Sequence, residues 1–344
     1  MQSLFLGLIL ISFFINSIII VPFINFIYRI GFIERKPSKK RAQESPIDKL
    51  HLNRPRMLLG GGIPIILTTT IIYLLSTVFL PSEWQDSIYP FVDEVHLILF
   101  TFLSFALLGF YDDWVKIFGK ARKGRFGIVF GLTEKQKFLL QWVIGLIIGA
   151  LLYWNLKLDF IYAPIINKTW HLGWFFIPFS AFVIIAFSNA YNITDGLAGL
   201  STGLLLIALI AFIVIAFSTF DLPILLFIGS WLGGIISFLY FNIYPARIIL
   251  GDAGALSFGA TLGLIGLLTG KIFALTFIGG VFLIEILSSL IQIIAIRWFN
   301  KKVFPLAPLH HTFEALGWPE PKIVMRAWLA GVILAIFGIW LALG

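Results

Sequence analysis

The 344-residue sequence contains no cysteine. That excludes a disulfide framework, thiolate metal ligands and a cysteine nucleophile. Charge is scarce as well: Asp, Glu, Lys and Arg make up 12% of the chain, against about 25% in a soluble domain. Apolar residues take their place, at 59% of the sequence and a mean hydropathy of +0.98. Such a composition describes a polytopic membrane protein, for which length is no guide to domain count. Residues 1–344 read as a single integral-membrane domain. No nucleic-acid partner is expected, despite a net charge of +8.

Ten apolar stretches are candidate spans: 4–28, 58–80, 96–111, 138–156, 174–190, 199–217, 222–240, 255–269, 272–296 and 326–343. Roughly 20 residues of helix cross the hydrocarbon core. The first stretch is longer than a signal-peptide core and has no basic residue before it, so it is expected to be a retained span. A bilayer interior offers no water to open backbone groups, so every span should be helical. The expected fold is therefore all-α, with about ten transmembrane helices.

Ten spans divide the loops into two sets, and 22 of the 25 Lys and Arg residues fall in one of them. The other set holds only Lys157, Lys168 and Lys271. The basic side faces the cytoplasm, which places both termini outside.

Four polar islands interrupt the apolar text: "GFYDDW" (109–114), "SNAYNITDG" (188–196), "FNIYPARIILGDAGALSFG" (241–259) and "PLHHTFEALGW" (308–318). All four fall on the cytoplasmic face, where one composite active site is expected. Asp112 and Asp113 are adjacent acids at a span end. They suit either an interfacial cap or a carboxylate pair for a divalent cation or proton transfer. Lys116, one helical turn on, could neutralise the pair or meet a phosphate. Asn189 and Asn192, three apart, share a helix face near Asp195 and suit hydrogen bonds to sugar hydroxyls or a phosphate. Asp195-Gly196 also reads as a turn. Asp252 lies between two glycines that let backbone approach a ligand closely. The start of the next span beyond it would favour an anion. His310 and His311 are adjacent and so do not share a helix face; they are either solvated or in contact with phosphates. Glu285 and Gln292 lie seven apart on one face of the ninth span. They are open to a functional role or to polar packing.

Taken in order, the islands resemble the polyprenyl-phosphate N-acetylhexosamine-1-phosphate transferases. The pattern of that superfamily is matched by Asp112-Asp113, by the Asn-rich run ending in Asp195-Gly196, and by Gly251-Asp252-Ala253-Gly254. "GLTEKQK" ending at Lys137, "FN" ending at Asn242 and "EILSSLIQ" ending at Gln292 also fit. The last loop, "APLHHTFEALGWPEP", resembles the branch that handles the muramoyl-pentapeptide in bacterial cell-wall synthesis. Four features depart from that branch. Ala198 stands where it usually has Asp, Ile249 where it has Phe, and Thr312 where a third His follows the pair. "RPRMLLGGG" (54–62) replaces its Thr-Pro-Thr-Met-Gly-Gly run.

The resemblance implies a multi-pass enzyme of the bacterial plasma membrane. A polyprenyl phosphate would attack the β-phosphate of a UDP-linked amino sugar, release UMP and yield lipid I, with Mg²⁺ as cofactor. It implies Asp252 as the Mg²⁺ ligand and Asp112 as the base, supported by Asp113; nucleophilic attack by Asp252 is the competing scheme. Lys116, Lys137, His310 and His311 are implied for the diphosphate. Asn189, Asn192 and Asp195 are implied for the nucleotide-sugar, and Asn242 and Gln292 for the substrate site more generally. A homodimer is possible. Two alternatives stand beside this reading: a sibling transferase moving N-acetylglucosamine-1-phosphate, and a transporter.

Overall fold

A computed structural model describes residues 2–34, 56–81, 83, 87–119, 122–124, 127–129 and 132–344. Most of the basic loop expected after the first span, including 35–55, lies outside the described residues, as do Lys120, Arg125 and Gly131.

Among the described residues, nine helices are long and apolar enough to cross a membrane, and Gly62–Val78 is a shorter apolar helix. In chain order the spans are α1 (Gln2–Ile30), α2 (Gly62–Val78), α3 (Phe91–Phe118), α4 (Glu134–Trp154), α5 (Phe176–Thr194), α6 (Leu200–Thr219), α7 (Leu222–Asn242) and α8 (Gly251–Leu268). A broken pair, α9 (Ile272–Ile278) and α10 (Gly280–Phe299), follows. After the short α11 (Leu309–Ala315), α12 (Glu320–Leu343) closes the bundle. Two antiparallel hairpins, β1 (Arg122–Gly124) with β2 (Gly127–Val129) and β3 (Phe160–Ala163) with β4 (Lys168–His171), and two 3-10 turns, Pro164–Ile166 and Gly173–Phe175, complete the described elements.

The caps show how the sequence starts its helices. Thr133 accepts from the Gln136 N–H while the Gln136 side chain accepts from the Thr133 N–H, a reciprocal cap on α4. Asp221 caps α7 by accepting from the Ile224 N–H at 3.2 Å.

Two expectations of the span reading are corrected. The ninth stretch is not one helix: it breaks at Gly279, where a Cβ would run into the Phe187 ring and lie 3.2 Å from the Leu275 carbonyl. Adjacent glycines and this close approach account for the break. The eighth span starts at Gly251 rather than 255, so Asp252 sits in the first turn of α8 instead of ahead of it.

α7 and α8 form the centre, buried along nearly their whole length, whereas α1, α4 and α12 turn most of theirs outward. Lipid is as apolar as leucine, so close packing and internal hydrogen bonds join the helices. Glycines supply the closeness: a Cβ on Gly62 of α2 would lie 2.5 Å from the Gly254 Cα of α8. Hydrogen bonds supply the rest. Ser12 donates to the Ser230 carbonyl at 2.5 Å, Asn16 to the Thr68 hydroxyl at 2.6 Å, and Ser188 to the Leu256 carbonyl at 3.0 Å.

Candidate active site

The C-terminal ends of α3 and α5 and the N-terminal ends of α4 and α8 bring charged residues together inside an otherwise apolar bundle. Asp112 and Lys116 are one turn apart on α3, with Lys116 Nζ 2.8 Å from Asp112 Oδ2. The same Lys116 Nζ lies 2.6 Å from Asp252 Oδ2. Lys137, in the first turn of α4, repeats the pattern: its Nζ is 3.1 Å from Asp112 Oδ2 and also pairs with Asp252 Oδ2. Two carboxylates thus converge on the same two ammonium groups. Asp112 is almost wholly buried, and a buried carboxylate is tolerable only when so paired.

Backbone geometry holds the acids in place. Asp112 Oδ1 accepts from the Leu132 N–H at 2.9 Å, tying α3 to the segment that leads into α4. Asp113 Oδ2 accepts from the Ala253 N–H at 3.1 Å, an acid on a first-turn amide of α8. Gly251 has φ +80°, a conformation that suits glycine, and a Cβ there would sit 2.8 Å from Asp113 Oδ2. Asp113 therefore stands behind the cluster and positions α8.

Asn192 joins the cluster by donating to Asp252 Oδ1 at 3.0 Å. Asn189 does not. Its amide is paired reciprocally with that of Gln141 on α4, at 2.8 and 3.4 Å. Asp195 accepts from the Ser201 hydroxyl. Burial pushes its carboxyl up to about 7; the Ser201 bond opposes that rise, while the negative fields of Asp252 and Asp113 add to it.

Residues 95–270 match the family described as glycosyl transferase family 4, and this stretch holds all the residues of the charged cluster. A phospho-N-acetylmuramoyl-pentapeptide-transferase of Bacillus subtilis (strain 168) is 33% identical over 99% of this chain and 98% of its own length. The protein of that name from Bacillus pumilus (strain SAFR-032) is also 33% identical, over 99% of this chain and 98% of its own. That of Borreliella afzelii (strain PKo) is 39% identical over 71% of this chain and 72% of its own. The chain belongs to glycosyl transferase family 4.

Outside the cluster, this family 4 chain uses several of its expected site residues as clasps. Asn242 accepts from the Gly199 N–H at 3.2 Å and the Thr202 hydroxyl at 3.0 Å, and donates to the Ile248 carbonyl at 3.0 Å. Gln292 accepts from the Val303 and Phe304 N–H groups and donates to the Phe304 carbonyl, each at 3.0 Å. Both amides pin the loops that follow their helices. His310 and His311 are buried on α11 and face acids: Glu285 at 3.0 Å and Glu314 at 2.6 Å.

The departures from the muramoyl-pentapeptide branch have structural places too. The Ala198 N–H donates to Glu320 Oε1 at 2.6 Å, so a carboxylate reaches this position from α12. Ile249 lies in extended pairing, its N–H on the Leu58 carbonyl at 2.9 Å and its carbonyl on the Gly61 N–H at 3.0 Å. Thr312 donates to the Leu306 carbonyl.

Gln141 and Glu320 were not among the sequence candidates. Gln141 left a signal: a fully buried amide within an apolar span, one turn beyond Lys137. Glu320 left none, because its partner is a backbone amide 122 residues away.

Proposed function

We propose that this chain transfers phospho-N-acetylmuramoyl-pentapeptide from its UDP carrier to undecaprenyl phosphate. The reaction would run at the cytoplasmic face of the bacterial plasma membrane, releasing UMP and forming lipid I. The observation that carries the reading is the pairing of Asp112 and Asp252 with Lys116 and Lys137, in a chain similar end to end to transferases of that name.

The chemistry follows from charge. An oxygen of the lipid phosphate attacks the β-phosphorus of the UDP-sugar, a P–O bond forms, and the bond to the UMP oxygen breaks. Such a displacement needs positioning and charge neutralisation more than covalent help. Lys116 and Lys137 supply two positive charges, held in place by the two carboxylates until a diphosphate competes for them. Asp112, seated between the lysines, is the candidate to take a proton from the lipid phosphate.

Mg²⁺ fits the donor set. It takes one or two carboxylates, with phosphate and water completing its shell. The Oδ2 atoms of Asp112 and Asp252 already converge, and Asp252 keeps 16% of its side chain exposed. Among the described residues no group of three or more His, Cys, Asp or Glu is placed to hold a metal, so substrate oxygens and water would have to complete the shell of any ion held here. Asp252 would be the principal ligand, and the ion would supply further positive charge at the phosphates.

The test is incubation of the purified protein in detergent with undecaprenyl phosphate, Mg²⁺ and either UDP-N-acetylmuramoyl-pentapeptide or UDP-N-acetylglucosamine, following UMP and the lipid product. Turnover of the first alone is expected. Turnover of the second alone would establish the sibling transferase, which the departures at Ala198 and Ile249 allow although the final loop argues against it. EDTA should stop the reaction.

A further inference from the structure

His310 is almost fully buried, and one carboxylate holds its orientation. Glu285 Oε2, on α10, lies 3.0 Å from His310 Nδ1 and accepts from the His310 backbone N–H at 3.3 Å. One turn on, the Ser288 hydroxyl accepts from the Leu309 N–H at 3.0 Å. The first turn of α11 is thus clamped to α10 at two successive residues. Where the carboxylate accepts, the ring donates from Nδ1. The other ring nitrogen, Nε2, is buried without a hydrogen-bond partner.

Nε2 points at Gly196. A Cβ added to Gly196 would lie 2.5 Å from it and 3.1 Å from Cε1. The imidazole edge is therefore packed against the main chain at the Asp195–Gly196 corner. That corner is one helical turn past Asn192, whose amide holds Asp252. Neighbouring polar groups have partners of their own. His311, its ring centroid 4.1 Å away, pairs with Glu314, and Asp195 is bonded to Ser201.

We infer that Glu285 is a positioning residue for the transfer reaction. It sets the His310 ring, and the ring is the backstop that fixes the Asp195–Gly196 corner beside the charged cluster. The acid thus acts on the site from α10, just beyond the break at Gly279, without touching the reacting atoms. Glycine is required at 196 because the ring takes the space of a side chain. The corner lies on the cytoplasmic face, where the water-soluble nucleotide-sugar arrives; the lipid phosphate comes from the membrane plane. Loosening the corner should therefore weaken use of the nucleotide-sugar.

The inference rests on the transferase reading, and wild-type UMP release tests that reading first. If the wild type is inactive with both nucleotide-sugars, the reading falls. With an active wild type, Glu285→Leu should raise the KM for the nucleotide-sugar at least tenfold, while kcat and the KM for the lipid phosphate change less than threefold. Glu285→Gln, whose Oε1 can still accept both N–H groups, should stay within about threefold of wild type in every parameter. A loss confined to kcat, or an equal loss in Gln and Leu variants, would overturn the positioning role.

A second measurement stands if the Leu variant does not fold. Gly196→Ala should raise the same KM at least tenfold in the wild-type background. In a His310→Ala background, where the ring no longer occupies the space, its effect should shrink at least fivefold. Equal penalties in the two backgrounds would show that His310 is not the backstop.

Discussion

Gly109 of α3 and Asp252 of α8 lie back to back: a Cβ on Gly109 would run into the Asp252 carbonyl and sit 2.7 Å from the Ala253 Cα. Three residues beyond Gly109 comes Asp112. The helix carrying one acid can meet the helix carrying the other only because this position has no side chain. Gly109→Ala must push α3 off α8, and overpacking of this kind costs about 1–3 kcal/mol. Turnover should fall further than stability does, because Asp112 and Asp252 would no longer converge on Lys116 and Lys137. Thermal unfolding in detergent beside UMP release separates the two effects. A variant with full activity would show that α3 can shift without disturbing the cluster.

Lys137→Met removes one of the two ammonium groups between Asp112 and Asp252. The methionine fills the stem but carries no charge. Removing one preorganised donor to developing negative charge costs about 10²–10³ in kcat. Asp252→Asn should cost at least as much, since it removes the carboxylate met by both lysines and by Asn192. Single-turnover UMP release is the readout. A Lys137→Met enzyme within about tenfold of wild type would mean that Lys116 alone serves the diphosphate.

The spans and the convergence of Asp112, Lys116 and Asp252 were legible in the sequence. Apolar runs and charge asymmetry are long-range averages that survive the loss of any one boundary. The break at Gly279 was not legible, because two glycines in an apolar run are common and only the Phe187 ring makes Cβ intolerable there. Nor could spacing distinguish Asn192, which reaches Asp252, from Asn189, one turn away, which is bound to Gln141. A helix face is shared by both, and the partner helix decides between them. Asn242 and Gln292 were legible as polar residues out of place, but an amide that clasps a loop and one that binds a ligand look alike in sequence.

The amide pair of Gln141 and Asn189 gives an asymmetric prediction. Gln141→Leu leaves the Asn189 side-chain amide with only its bond to the Ile185 carbonyl at 2.8 Å. An unsatisfied polar group in such a place costs about 1–3 kcal/mol, whereas replacing both partners by apolar groups can be nearly neutral. Gln141→Leu alone should therefore be less stable than the Gln141→Leu/Asn189→Leu double variant. Melting temperatures in one detergent decide it. A double variant that melts below the single would show that each amide has a partner of its own.

Glu94 of α3 and Asp221, ahead of α7, are both fully buried, and each keeps one oxygen, Glu94 Oε1 and Asp221 Oδ2, without a hydrogen-bond partner. A buried carboxyl without a partner favours its protonated form. Asp221 already accepts from the Ile224 N–H at 3.2 Å, and Ser87 donates to Glu94 Oε2 at 3.0 Å. Burial pushes the Asp221 carboxyl up from 3.8 to about 6, and the Ile224 N–H holds it lower than burial alone would. A carboxyl raised in the fold binds more protons there than in the unfolded chain, so its contribution favours the fold at low pH. That contribution should fall as pH rises from about 4 to about 6, and stay flat above. Asp221→Asn removes the titration and keeps a capping oxygen for α7. The difference in melting temperature between wild type and Asp221→Asn, measured from pH 4 to 8, should therefore move against the wild type through that window and then level. A difference that does not change with pH would mean that Asp221 is ionised throughout.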